Sequence, residues 1–306
     1  MLHRLRSTCL ATLISLAVVP AIALAEVPAA ANTPVPLLWK VSDADNAVYL
    51  LGSFHLLKPG DYPLAAEVEA AFDDSAALVF EIDPAELTSP ATTQKFQQAA
   101  AYEDGKTLSA VLPEDVRTLL TQRMGSLAAV DAVEPWALTL GMVMGMAQAV
   151  GFRPEHGLDQ HFMRRAGEAG KPVSGLETVD VQVAALDKAP YSEQIHSLKE
   201  LLQDTPKAMQ QLNDLHTAWR NGDVRMLDGE MRQDMIKHTP VTYRLINIDR
   251  NNAWLPAIEK RLTTPGTDNT LVVVGALHLM GNDGLVDRLR AKGYAVERLC
   301  SACVTD

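Results

Sequence analysis

Two phrases in the 306-residue chain share one grammar: Val48-Tyr49-Leu50-Leu51-Gly52-Ser53-Phe54-His55 and Leu271-Val272-Val273-Val274-Gly275-Ala276-Leu277-His278. Each is an apolar run of the kind that forms a strand buried on both faces, followed by Gly-x-x-His. Glycine lets the backbone turn at the strand end without a Cβ clash, so an imidazole is presented at the carboxyl edge of a sheet. Open α/β sheets hold their ligands at that edge. A third run, Leu78-Val79-Phe80, ends in Glu81. Two imidazoles and a carboxylate suit a divalent cation with positions left open for water or substrate, which makes His55, His278 and Glu81 candidate metal ligands. One Gly-x-x-His alone is weak, because a histidine beside a core strand is usually just hydrogen-bonded, and Glu81 alone reads equally as a solvated strand end. The repetition of strand plus motif carries the reading.

The elements that must position these groups follow from periodicity and turn residues. Residues 37–41 and 47–54 read as a hairpin turned at Asp43-Ala44-Asp45-Asn46, 63–72 as a helix, and 76–82 as a buried strand. The middle, about 91–235, reads as largely helical, with 113–124 opening on Pro and acids. Residues 135–152 are uncharged and contain Gly141-x-x-x-Gly145. Gln148 inside the stretch and Glu134 and Arg153 at its bounds favour a core helix packed through its glycines over a membrane span. A short strand is expected at 171–175, one long helix over 194–220 stopped by Asn221-Gly222, a helix over 247–262, a β-branched strand at 269–275, a helix over 284–292 and a last strand at 294–299. Strands at both ends of a helical insertion imply an α/β fold with a split sheet.

The chain ends carry separate signals. Arg4 and Arg6 precede an uncharged run, 7–25, that closes on Ala23-Leu24-Ala25, the pattern of a secretory signal peptide cleaved before Glu26; an uncleaved anchor is the alternative. Residues 26–36 read as a flexible leader and 37–306 as one domain in a periplasmic or secreted protein, with no stable membrane span after cleavage. In an oxidising compartment Cys300-Ser-Ala-Cys303 reads as a local disulfide. A redox motif of that spacing would open a helix after a strand, and half a zinc site lacks its second cysteine pair. A net charge of −11, from 27 basic and 38 acidic side chains, excludes nucleic acid as a main partner. At 47% hydrophobic and 21% charged, the composition is globular and excludes a disordered or disulfide-dense chain. Neither Gly-x-Ser-x-Gly nor His-Glu-x-x-His is present, so serine-hydrolase and zincin readings lack their usual support.

From about Leu37 to Leu299 the chain resembles the TraB/GumN family, which is related to the Tiki metallopeptidases and more distantly to EreA/ChaN-like proteins. The resemblance rests on an ordered set of landmarks: Leu38-Trp39-Lys40, Leu51-Gly52-Ser53-Phe54-His55, Tyr62-Pro63-Leu64, Phe80-Glu81-Ile82-Asp83, Pro135-Trp136 and Gly157-Leu158-Asp159. It continues through Gly175-Leu176-Glu177-Thr178, Trp219 with Gly222-Asp223, Arg250-Asn251 with Trp254, and Gly275-Ala276-Leu277-His278-Leu279 with Gly281 and Gly284. It implies an EreA/ChaN-like split central sheet with a large helical insertion, and a peptidase-like metallohydrolase acting on a peptide or small molecule with Mn, Co or Zn. Carried over by residue, His55 and His278 become metal ligands or general bases, and Glu81 a ligand or proton acceptor. Arg250 would orient a substrate carboxylate or stabilise an oxyanion; the alternative is a salt bridge to Asp249 or Glu259. Glu177 would face the substrate or cap the next helix. A non-catalytic metal, haem or peptide binder, and a metal-free esterase with His55 as base beside Glu81, are the competing readings. Ser53 stands where many relatives carry Thr and keeps the hydroxyl. Asp159 is expected to cap its helix. His156 and His161, five apart, do not share a helix face, and His196, His216 and His238 are expected at the surface.

Overall fold

A computed structural model describes residues 33–303, residue 104 apart. The expected signal peptide, 1–25, and most of the leader lie outside the described residues. Six strands form one mixed sheet: β1 (Leu38–Ser42), β2 (Ala47–Ser53), β3 (Ser75–Ile82), β4 (Val173–Glu177), β5 (Asn269–Gly275) and β6 (Ala295–Arg298), in the spatial order β4-β3-β5-β2-β1-β6. β5 enters between β2 and β3 and runs parallel to both, and β4 runs parallel to β3. β1 is antiparallel to β2 and to β6. The expected α/β class with a split sheet is therefore what the chain adopts. Because β2, β3, β4 and β5 share one direction, Ser53, Glu81, Glu177 and Gly275 all arrive at the same edge. Ser53 pairs with Gly275, and Ile82 with Glu177.

The sequence logic of the strands is burial. β2 is buried along its whole length and β5 nearly so, which demands the continuous apolar runs that mark them. β6, at the sheet edge, alternates exposed and half-buried residues and carries Glu297 and Arg298, charges that discourage edge pairing. The main core joins the sheet to several helices, among others through Phe72 of Ala66–Asp74, Phe162 of Leu158–Ala169, Trp219 of Thr205–Arg220, Leu285 and Leu289 of Leu285–Ala291, and Trp254, Ile258 and Leu262 of Asp249–Thr263. A fully buried aromatic such as Trp254 contributes about 3–5 kcal/mol against truncation to alanine. Smaller clusters organise the helical middle, and one of them, Ile82 with Trp136, Val179 and Val183, sits at the carboxyl end of β3.

Several elements differ from expectation for identifiable reasons. The 194–220 stretch is two helices, Tyr191–Gln203 and Thr205–Arg220. Asp204 leaves helical geometry at φ −142° and ψ 71°, its carboxylate accepts from the Lys207 amide, and Pro206 occupies the new first turn. The uncharged helix is Pro135–Ala149 and does not pack through its glycines: Gly141 and Gly145 are exposed, and a Cβ at either would meet nothing within 4 Å. It is anchored instead by Trp136, Leu138 and Ala147. No helix among the described residues is long and apolar enough to cross a membrane.

The first helix begins at Ala66 rather than at 63, with Leu64 ahead of it buried in the core. The strand expected at 171–175 lies two residues later, which puts Glu177 in the strand while Thr178 caps the helix that follows. Pro34 and Pro36, expected in the flexible leader, are buried, and the Val35 amide donates to the Arg220 carbonyl at 2.6 Å. His216, expected at the surface, is buried: its Nε2 pairs with Asp61 Oδ2 at 2.9 Å and its ring packs on Phe54 and Phe152. Cys300 and Cys303 are joined by a disulfide.

Candidate active site

His55 follows β2 by two residues, and one carboxylate, Asp159, defines its orientation. Asp159, in the first turn of the Leu158–Ala169 helix, accepts the Ser53 hydroxyl at 2.6 Å and lies 2.7 Å from His55 Nδ1, all at one oxygen. A carboxylate only accepts, so Nδ1 carries the proton and Nε2 is the nitrogen presented to the site. The helix start is capped by the backbone geometry of Gly157 with no side-chain bond, which corrects the expectation that Asp159 is the cap. Gly157 also permits a close approach: a Cβ there would lie 2.2 Å from the His55 carbonyl oxygen.

Glu81 ends β3 as a buried side chain. Its Oε1 accepts the Gly275 amide at 2.7 Å, and its Oε2 accepts Gln182 Nε2 at 3.1 Å and Arg250 Nη2 at 2.6 Å. Gly275, where β5 turns, is the centre of the arrangement. A Cβ there would stand 3.0 Å from His55 Nε2, 3.3 Å from Glu81 Oε1 and 3.6 Å from His278 Cδ2. The absence of a side chain at this position leaves room for all three groups to converge.

The helix Asp249–Thr263, preceded by a π-helical turn at Arg244–Ile248, delivers Arg250, Asn251 and Trp254. Such π segments are frequent at functional sites. Arg250 donates from Nη2 to Glu81 and to Glu177 Oε1, both at 2.6 Å, and from Nε to both Glu177 oxygens at 3.0 and 3.1 Å. Trp254 Nε1 donates to Glu177 Oε2 at 2.9 Å, and the guanidinium stacks over the indole. Asn251 fixes His278. Its Nδ2 donates to the carbonyls of His278 and Asp283, so its Oδ1 is the acceptor that faces His278 Nδ1 at 2.8 Å. His278 therefore carries its proton on Nδ1, and its Nε2 lone pair accepts from Arg250 Nη1 at 3.1 Å.

The charges sort by these contacts. Asp159 holds the His55 imidazolium up at about 9, with help from Glu81. Burial pushes His278 down to about 3. Burial would raise Glu81, but Arg250 and the nearby imidazoles outweigh it and keep its carboxylate far below the usual range. Glu177 moves the other way, since burial exceeds what Arg250 returns to it. At neutral pH the site thus presents an ionised Glu81, a neutral His278, the Arg250 cation and a protonated His55. The His55 side chain is 59% exposed, which makes Nε2 the proton-bearing atom on the open side.

A divalent cation fits part of this donor set. His55 Nε2 and Glu81 Oε1 flank the space over Gly275, and Asp159 on the far nitrogen of His55 is the carboxylate that commonly backs a ligating imidazole. His278 Nε2, 3.8 Å from Glu81 Oε1, faces Arg250 instead. Among the described residues no three His, Cys, Asp or Glu side chains are grouped to hold an ion.

Of the residues singled out from sequence, His55, Glu81, Glu177, Arg250 and His278 meet here, while the Cys300–Cys303 disulfide follows the edge strand β6. Arg250 pairs with Glu81 and Glu177 rather than with Asp249 or Glu259. Sequence reasoning left out Asp159, Asn251, Trp254 and Gln182 as site residues. Spacing gave a signal for two of them: Asn251 adjoins Arg250, and Trp254 lies one helical turn further on.

Fold and site together define an α/β protein with paired Gly-x-x-His motifs and a buried Glu-Arg-Glu cluster at the carboxyl edge of its sheet. A model of the TraB/PrgY/gumN family matches residues 37–298, and the chain belongs to that family. It is 26% identical over 245 residues to "Uncharacterized protein YbaP" of Escherichia coli (strain K12), covering 79% of this chain and 87% of that protein. It is 23% identical over 305 residues to "Metalloprotease TIKI2" of Danio rerio, covering 81% of this chain and 58% of that protein.

Proposed function

We propose that this chain is an exported hydrolase that cleaves peptide or similar acyl bonds over Gly275. The convergence of His55 Nε2, Glu81 Oε1 and His278 on one open point carries the reading. His55 is the group that moves protons: Nε2 faces the open point, while Asp159 and Ser53 hold the ring from behind. Glu81 is too strongly held as a carboxylate to be a good base and serves as fixed negative charge beside the reacting atoms. Arg250 pairs with Glu81 and Glu177 and, with Asn251, fixes His278. A divalent cation bound there would displace the Nε2 proton and have His55 Nε2 and Glu81 Oε1 as its nearest donors, supplying a water of lowered pKa; proton transfer by His55 belongs to the form without the cation. The likeness to a protein named a metalloprotease supports that cation.

A second reading, hydrolysis without metal, is favoured by Arg250, which already supplies a buried positive charge and occupies the His278 lone pair. The deciding test is turnover of blocked peptides and esters by the purified chain with chelator and then with Mn, Co or Zn. Loss on chelation and recovery with one ion supports the cation. Activity that survives chelation but falls in His55→Ala supports the second reading. Activity untouched by His55→Ala sinks both. Export rests on residues 1–25: the protein should be recovered from the periplasm or medium with Glu26 at its start, a start at Met1 would indicate the uncleaved anchor, and recovery from the cytoplasm alone would contradict export.

A further inference from the structure

A cavity of about 540 Å³ lies between the carboxyl-terminal half of the helix Asp249–Thr263 and the sheet, near the amino ends of β3 and β5. That volume is in the range of small-molecule sites. Arg261 lines it, eleven residues beyond Arg250 and so about 16 Å further along the same helix, away from the histidine site.

Several buried or half-buried arginines are held by an acid or a ring, and Arg261 is not. Arg250 pairs with Glu81 and Glu177, Arg232 with Asp228 and Asp283, Arg220 with Asp61, and Arg165 with Glu69. Arg298 stacks on Trp39 and donates to the Gly222 carbonyl. Arg261 has neither an acid nor a ring: its side-chain bond among the described residues is to Ser174 Oγ at 2.9 Å. Burial without a counter-charge lowers its basicity. Lys260 adds a second cation to the lining, against one carboxylate, Asp268, in a chain whose net charge is −11. Nearby Glu259 is taken by Lys292.

The rest of the cavity matches an amphipathic acid. Asn46, nine-tenths buried, donates from Nδ2 to the carbonyls of Arg261 and Thr264 and leaves Oδ1 without a partner, an acceptor that suits an N–H of the ligand and not its carboxylate. Ala76, Ala77, Val79, Leu176 and Ala257 supply apolar wall. A planar guanidinium selects a carboxylate by a two-point contact, and apolar wall favours an aliphatic body.

We infer that this cavity is a second binding site, one that takes a small aliphatic carboxylate paired to Arg261. Calorimetric titration of the full chain with N-acetyl-leucine and with N-acetyl-leucinamide tests it, because the two differ in the charge Arg261 would read. The acid should bind with a dissociation constant below about 1 mM, and the amide at least tenfold more weakly. Arg261→Gln should weaken the acid at least tenfold, and Ala257→Leu, which narrows the cavity and keeps the charge, should weaken both compounds. His55→Ala should leave acid binding unchanged. Equal binding of acid and amide, no binding of the acid below 1 mM, full affinity in Arg261→Gln, or loss of binding in His55→Ala would each overturn the inference.

Discussion

Gly275→Ala separates the geometry of the site from the stability of the fold. Gly275 has φ −51° and ψ 137°, a conformation alanine adopts without strain, so only the added methyl matters. That methyl would sit 3.0 Å from His55 Nε2 and 3.3 Å from Glu81 Oε1, a few tenths of an ångström too close to each. His55 is exposed and can swing outward, whereas Glu81 is pinned by Arg250, Gln182 and the Gly275 amide. Crowding of about 1 kcal/mol is opposed by the 0.4–1 kcal/mol that replacing glycine removes from unfolded-state entropy. Stability should stay within about 1 kcal/mol, a Tm shift of no more than about 4 °C. Turnover should fall about 100-fold, because the methyl fills the point on which the three groups converge and keeps the reacting bond out of reach of His55 Nε2.

Gly157→Ala is the contrast. Its Cβ would meet the His55 carbonyl at 2.2 Å, a backbone atom that cannot rotate away, so about 3 kcal/mol or more of stability should be lost. Thermal melts and hydrolysis rates on both variants test the reasoning. A Gly275→Ala protein that unfolds like Gly157→Ala, or that keeps wild-type turnover, refutes it.

Arg250→Met would leave Glu81 and Glu177 buried without their shared cation and should cost about 3–5 kcal/mol in denaturant titration; a loss under about 1 kcal/mol contradicts the cluster. The His55 pKa, raised from 6.5 to about 9, means its contribution to stability is complete below pH 6.5 and is lost as pH climbs toward 9. Asp159→Asn should abolish that loss and move the His55 titration seen by NMR down toward 6.5. His278, lowered to about 3, has the opposite sign: its contribution is present above pH 6.5 and fades as pH falls toward 3, so a fold equally stable from pH 7 to 4 speaks against its burial. Gly145→Ala should stabilise the chain by about 0.5–1 kcal/mol, since nothing lies within 4 Å of the new methyl; destabilisation would mean that helix face is packed.

Much of the fold was legible because buried parallel strands leave an unmistakable mark. The centres of β2 and β5 are apolar runs, and the glycines near their ends announce the turn toward each histidine. β4 was harder to locate: it is short and half exposed, so its pattern did not say that Glu177 belonged to the strand. Asp159 was hidden because a carboxylate in the first turn of a helix usually caps it, while its contact with His55 spans 104 residues of sequence. Arg250 reaches Glu81 across 169 residues, and no local spacing reports such a pairing. The break at Asp204 was written in the chain as an acid followed by Pro206, but the apolar period continues on both sides and masked it.

The most direct measurement is the rate at which the folded wild type and the His55→Ala and His278→Ala variants cleave one peptide or ester, with circular dichroism confirming the fold of each. The site described here predicts cleavage by the wild type and a loss of about 100-fold or more in His55→Ala, where the proton-bearing atom is removed. It predicts a comparable loss in His278→Ala, which takes away the ring that faces the same point. Equal rates in all three proteins would mean that the chemistry does not take place over Gly275.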